Sequence, residues 1–146
     1  MVGYMQIIRY QFLQHGDKRG QLVALEELRD IPFVIKRVYY MYDTIENMRR
    51  GCHSHKNLEQ ILICVCGSCK VLLDDGIEKE TVLLDKPYEG LYIASDMWRE
   101  MYDFTAGSVL MVLASEYYNE DDYIRDYSEF RKNIAEKMYK TNEEIL

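Results

Sequence analysis

The feature that most limits what this chain can become is a run of short apolar, β-branched and aromatic segments, each closed by a turn signal. Gln21–Leu25 follows Arg19–Gly20, Phe33–Tyr42 follows Pro32, and Leu58–Val65 runs into Gly67. Cys69–Leu73 ends at Asp74–Asp75–Gly76, and Glu80–Leu84, Gly90–Ala94, Trp98–Phe104 and Ser108–Ser115 complete the series. Val, Ile, Tyr and Phe fit a pleated, half-buried surface, and Asp-Gly supplies the backbone geometry of a tight hairpin. Short strands with a turn every 8–12 residues or so predict an all-β sandwich or small barrel. The tail changes character. Glu120 to Lys140 is charged, and Ile124, Tyr127, Phe130 and Ile134 recur at helical spacing, which predicts a short C-terminal helical segment capping the barrel.

A length of 146 residues suits one domain, with the barrel over about 19–118 and the helical tail over about 119–146. No Pro/Gly/Ser-rich linker or repeat divides it. The formal charge of -7 argues against a nucleic-acid platform, which needs clustered Lys and Arg. No apolar run approaches the roughly 18 residues of a membrane span, and Met1–Arg9 lacks the order of a secretory leader, so the cytoplasm is expected and no membrane partner. Cys64, Cys66 and Cys69, with Cys52 upstream, lack the second ligand pair of a zinc site and read as thiols in a barrel wall. Cys64 and Cys66 are expected on one strand face.

Two of the three histidines stand together, in Arg50–Gly51–Cys52–His53–Ser54–His55–Lys56. At the start of a strand, positions i and i+2 share a face roughly 6.5–7 Å apart, so both imidazoles would face the barrel interior. His15 reads as a surface residue. His53, His55 and Glu59 form H-x-H-x3-E, the first half of the motif in metal-binding cupins. The later strand offers Arg99 where the closing histidine is expected, and a guanidinium neither ligates nor tolerates a nearby cation. We therefore expect no metal. Unliganded imidazoles with a pKa near 6.5 suit proton transfer, such as moving a carbonyl along a sugar through an enediol. Arg99 or a tyrosine hydroxyl would stabilise the oxyanion.

The basic residues near this motif suit a diphosphate, since arginine pairs with phosphate oxygens bidentately. Lys36–Arg37, Arg49–Arg50 and Lys70 are the candidates. Alternation places Lys36 and Arg37 on opposite faces, and Arg37 with Tyr39 on one. Among 13 tyrosines, Tyr39–Tyr40, Tyr92 and Tyr117–Tyr118 are candidates to line a pocket.

At IPFVIKRVYY (31–40), RGCHSHKNLEQILICVCGSCKVLLDDG (50–76), GLYIASDMWREMYDF (90–104) and VLMVLASEYYNEDDYIRDY (109–127), the chain resembles the dTDP-4-oxo-6-deoxyglucose 3,4-ketoisomerases of the cupin superfamily. The resemblance implies a cupin-type jelly-roll barrel and a homodimer with exchanged N-terminal strands. It implies conversion of dTDP-4-oxo-6-deoxy-α-D-glucose to a dTDP-3-oxo-6-deoxyhexose, for the 3-aminosugars of bacterial surface polysaccharides, without metal or redox cofactor. His55 would carry the proton and His53 would assist, although the residues alone do not order base and acid. Arg19, Arg37, Tyr39, Arg50, Lys70 and Arg99 would bind substrate. Members giving the galacto product tend to pair an arginine before the first barrel strand with a later histidine, and gluco members a tyrosine with an arginine. Arg19 with Arg99 takes one from each pattern. Other readings are a dTDP-sugar 3,5-epimerase, a non-catalytic nucleotide-sugar-binding cupin and a metal-dependent dioxygenase.

Overall fold

The computed structural model describes residues 5–145; positions 1–4 and 146 of the chain lie outside it. The strands are β1 (Ile8–Gln11), β2 (His15–Asp17), β3 (Gly20–Leu22), β4 (Arg37–Met41), β5 (Arg50–His55), β6 (Gln60–Cys66), β7 (Cys69–Asp74), β8 (Lys79–Leu84), β9 (Glu89–Ile93), β10 (Trp98–Tyr102), β11 (Val109–Ala114) and β12 (Tyr123–Ile124). One helix, α1 (Tyr127–Ile145), comes after them. Two five-stranded antiparallel sheets, ordered β1-β9-β6-β11-β4 and β12-β5-β10-β7-β8, face each other as a jelly roll. Nearly every connection crosses between sheets, so side chains from β4, β5, β6 and β10 meet in the interior. No described helix is long and apolar enough to cross a membrane.

Alternation explains the core. Leu62 and Cys64 of β6, Cys69, Val71 and Leu73 of β7, Leu91 and Ile93 of β9, and Leu110 and Val112 of β11 are buried between the sheets. The opposite face of the first sheet, through Ile61, Ile63 and Leu113, is covered by Phe12, Ile31 and Phe33. Residues 32–36 therefore pack as an irregular cover, and strand pairing starts only at Arg37, later than the expected Phe33. Cys64 is buried but Cys66 is exposed, although two apart. A register shift between Val109 and Leu110, opposite the end of β6, breaks the alternation there.

Strand pairing extends past the expected barrel limits at both ends. β1 sits on β9 of its own chain, Ile8 opposite Tyr92. β12 pairs with β5, Tyr123 opposite His55, so the first part of the expected helical tail is barrel wall. α1 starts at Tyr127 and buries Phe130 against Trp98 and Ile124, as the periodicity of Tyr127, Phe130 and Ile134 indicated. The β2–β3 hairpin stands apart as a two-stranded ribbon, and all six of its strand residues are exposed.

Candidate active site

The histidine pair lies on its own strand, β5, in the sheet opposite β6; it does not open the 58–65 strand. Gly51 has φ +82° and Cys52 φ +52°, and β5 slips in register where Arg99 opposes His53 and Glu100 opposes Gly51. This is a bulge that turns the strand and re-aims the side chains beyond it. A side chain at Gly51 would also collide with Met101, whose Sδ lies 2.9 Å from an ideal Cβ. Beyond the bulge the regular period returns, and His53 and His55 point inward together.

The two rings are edge-to-face, with centroids 4.7 Å apart and Nε2 to Nε2 3.0 Å. His55 Nδ1 donates to Asp122 Oδ2 at 3.0 Å, and Tyr123 packs edge-on against His55 at 4.3 Å and tilted against His53 at 4.9 Å. The pattern assigns the tautomers. With Nδ1–H given to Asp122, His55 Nε2 carries a lone pair and accepts the Nε2–H of His53. Nδ1 of His53 is buried and makes no hydrogen bond among the described residues.

His53 forms part of the wall of a cavity of about 550 Å³, a volume suited to a small-molecule ligand. Arg37, Arg49, Arg50 and Arg125 also line it, with Tyr39, Tyr118 and Tyr123. Arg49 pairs with Glu100 at 3.5 Å and Arg125 with Glu120 at 2.8 Å. Arg37 and Arg50 make no salt bridge among the described residues, and Arg37 Nε is buried without a partner. The Arg37 guanidinium lies 5.2 Å from the Tyr39 ring and 5.6 Å from the Tyr118 ring, which holds it over the cavity.

Four of the expected residues, His53, Arg37, Tyr39 and Arg50, line this cavity. His55 stands behind His53, only 1% exposed. Arg99 is inside the barrel but not on the cavity surface. It is 1% exposed and donates to the Met97 carbonyl at 2.9 Å and to Gln60 Oε1. Gln60 in turn donates to the Tyr39 hydroxyl at 2.8 Å. Arg99 is therefore a floor residue that sets the field and fixes Tyr39. Lys70 is not at the site. Cys69 and Val71 point inward, so Lys70 points out and pairs with Asp103 at 3.1 Å. Arg19, on the exposed hairpin, is 90% exposed and pairs with Asp17. Glu59 faces outward and accepts from Tyr92 at 2.5 Å, so the three-residue set His53, His55 and Glu59 is not assembled. That contact occupies Tyr92 outside the cavity, while Tyr117 lines a separate groove.

Gln60, Asp122, Tyr123 and Arg125 belong to the site but were not among the expected residues. Asp122 and Arg125 lie in the stretch expected to be a solvated helix face; the Tyr123–Ile124 pair between charged residues is the signal that could have marked a short strand.

Residues 5–135 match the family model FdtA, described as WxcM-like, C-terminal. The TDP-4-oxo-6-deoxy-alpha-D-glucose-3,4-oxoisomerase of Aneurinibacillus thermoaerophilus is 56% identical over 119 residues, 82% of this chain and 86% of that protein. The chain belongs to the sugar 3,4-ketoisomerase family. A 3,4-ketoisomerase from Helicobacter canadensis superposes with a TM-score of 0.88 at 48% identity, covering 90% of this chain and 99% of that one. A histidine-to-asparagine mutant of the 3,4-ketoisomerase QdtA from Thermoanaerobacterium thermosaccharolyticum, in complex with TDP-4-keto-6-deoxyglucose, gives a TM-score of 0.87 at 46% identity, covering 89% and 94%.

Within this ketoisomerase-family site, burial governs protonation. Desolvation, reinforced by the Arg99 guanidinium, lowers the His53 pKa to about 4. The same two causes push His55 down, against the pull of the Asp122 carboxylate on its Nδ1–H. Arg99 is itself lowered to about 10 by burial, and remains a cation at neutral pH. At pH 7 the site thus holds a neutral imidazole beside two arginines without carboxylate partners.

This lowered pKa also sets the sign of a stability effect. Unfolded, His53 binds a proton near pH 6.5; folded, it does so only near 4. Between those values the unfolded state holds more protons, so stability falls as pH falls. We expect His53 to contribute about 2 kcal/mol of lost stability between pH 7 and pH 5. Urea unfolding at the two pH values checks it; an unchanged midpoint would show that the ring is not held neutral.

Proposed function

We propose that the chain is a sugar 3,4-ketoisomerase that converts dTDP-4-oxo-6-deoxy-α-D-glucose to a dTDP-3-oxo-6-deoxyhexose. The observation that carries this is an imidazole, His53, in the wall of a cavity that also holds the unpaired Arg37 and Arg50. Base and phosphate-binding groups lie together, as a diphosphate-linked keto sugar requires.

His53 takes the proton from C3, next to the C4 ketone, leaving an enediolate with its charge on the C4 oxygen. The C3 hydroxyl proton passes to that oxygen as C3 becomes the new ketone. A proton from His53 is delivered to C4, and the former carbonyl oxygen ends as a hydroxyl. Tyr39, held by Gln60 and Arg99, is the cavity donor for the developing oxyanion. Its hydroxyl stays protonated, because burial raises its pKa. Arg37 and Arg50 take the diphosphate, and Tyr118 and Arg125 bound the same space. The galacto or gluco outcome at C4 depends on which enediol face receives the proton.

The test is purified protein with the 4-oxo sugar nucleotide and a PLP aminotransferase that traps the 3-oxo product. A 3-amino-3,6-dideoxy sugar nucleotide is expected only when this protein is present. Its absence, with intact 4-oxo substrate recovered, would refute the reading. Arg37→Met is expected to weaken TDP binding by roughly 10–100-fold, the value of a charge-assisted phosphate contact. Calorimetric titration checks this, and an unchanged Kd would move the diphosphate elsewhere.

A homodimer, expected above with exchanged N-terminal strands, is part of the same proposal, with the β2–β3 hairpin as the exchanged part, since β1 pairs with β9 of its own chain. The exposed β2–β3 hairpin holds Arg19 away from its own cavity, and Leu13 and Leu22 beside it are 72% and 59% exposed. A second copy would cover these side chains and bring Arg19 toward a sugar. Light scattering coupled to gel filtration would show a dimer; a monomer would remove Arg19 from the site.

A further inference from the structure

Most tyrosine hydroxyls at the cavity are committed or point away. The Tyr39 hydroxyl accepts from Gln60 at 2.8 Å, so one side of its oxygen is taken. The Tyr118 hydroxyl donates to Glu120. Tyr40 is 63% exposed and alternates to the outer face of β4. Tyr123 differs. Its ring lines the cavity and packs against His53 and His55, with centroids 4.9 and 4.3 Å away. The Arg125 guanidinium sits 4.3 Å from the same ring, and β12 holds the Tyr123 backbone opposite His55. The Tyr123 hydroxyl makes no hydrogen bond among the described residues, and unlike His53 Nδ1 it is not buried. It therefore opens to the cavity with its proton and its lone pairs uncommitted. Its oxygen lies within electrostatic reach of Arg99 and of the Tyr39 hydroxyl, the donor to the oxyanion.

Keto migration moves a proton between oxygens as well as between carbons. Once the C3–H bond is broken, the charge is on the C4 oxygen and a proton remains on the C3 oxygen. These oxygens sit on adjacent carbons, so a direct contact between them is bent, and hydrogen bonds weaken steeply below about 120°. A phenol beside both oxygens offers two straighter contacts. Resting on the isomerase reading, we propose that Tyr123 is a catalytic residue, the shuttle that carries the proton from the C3 oxygen to the C4 oxygen. Its O–H bond breaks as its proton goes to the C4 oxygen, while its own oxygen takes the proton of the C3 hydroxyl. The electron pair left on the C3 oxygen forms the new carbonyl, and the C3–C4 double-bond pair takes the proton delivered to C4. No electrons leave the substrate, and the phenol ends protonated as it began. Tyr39, held by Gln60, stays a fixed donor.

The experiment compares Tyr123→Phe with wild type in single turnovers trapped by the aminotransferase. Each is run with protium or deuterium at C3, and in H2O or D2O. The variant keeps the ring against both imidazoles and loses no hydrogen bond of the fold, so TDP affinity is expected to stay within a few-fold of wild type. The rate of keto migration is expected to fall about 10²-fold, the worth of a positioned proton carrier. The step that slows is transfer between oxygens. The solvent isotope effect should therefore rise relative to the C3 isotope effect, their ratio standing several-fold above that of wild type. A rate loss below about tenfold would show that the hydroxyl carries no proton, and would overturn the shuttle. A larger loss with the ratio unchanged or lowered would place Tyr123 at the carbon step or in the packing alone, and would overturn it equally. Absence of any keto migration in the wild type would instead refute the isomerase reading, and the shuttle with it.

Discussion

Replacing His53 with asparagine is expected to lower kcat for keto migration by about 10²–10⁴-fold, the usual worth of a positioned acid–base group. TDP affinity should change only a few-fold. Asparagine can still donate toward His55, but it cannot take a proton from carbon, and the diphosphate contacts of Arg37 and Arg50 do not pass through this ring. His55 cannot replace it, because His55 is 1% exposed and committed to Asp122. Steady-state and single-turnover rates with the aminotransferase couple measure the effect. A loss below tenfold would place the base elsewhere. This differs from the resemblance-based expectation that His55 carries the proton. The geometry gives first contact to His53 and puts His55 behind it. The acid limb of kcat/KM is expected near pH 4 rather than 6.5, since that limb reports the free-enzyme base.

Phe130→Ala is expected to destabilise the protein by about 3–5 kcal/mol, the range for a fully buried phenylalanine. Phe130 has no exposed surface, and its ring lies 5.7 Å from Trp98 and 5.8 Å from Tyr127. It closes a cluster with Ile124, the residue after Tyr123 on β12. The helix therefore does more than cover the barrel end. It presses β12 onto β5 and so keeps Tyr123 and Asp122 against the histidine rings. Tyr127 adds a hydrogen bond of 2.5 Å to the buried Asp74. Denaturant unfolding measures the loss, and a change below about 1 kcal/mol would show that the helix packs too loosely to hold the site. Turnover of the variant should fall before global unfolding, as β12 opens locally.

Much of the barrel was legible because its strands bury one face and alternate. Val71, Leu73, Leu110 and Val112 could hardly be placed otherwise. The same rule foretold that Arg37 and Tyr39 share a face, and applied to Cys69–Leu73 it would have turned Lys70 outward. What alternation cannot show is a break in itself. Cys52, in the left-handed region beside Gly51, resets the phase before His53, and the register shift opposite Cys66 separates it from Cys64. β12 is two residues long, too short for any period, and its energy comes from Phe130, a residue six positions further on. Arg99 was legible as a pocket cation but not in direction: it satisfies Gln60 and Met97, partners named only by the fold. Arg19 depends on contacts that no single chain supplies.

Keto migration at this site requires proton transfer between the carbons flanking the migrating ketone, by way of a neutral imidazole in the cavity. Locating the deuterium acquired by the sugar during turnover in D2O tests this most directly. The expected result is label at C3 or C4, none at C5, and accumulation of the 3-oxo isomer. Label at C5, or a 4-oxo sugar returned unchanged and unlabelled, would contradict it.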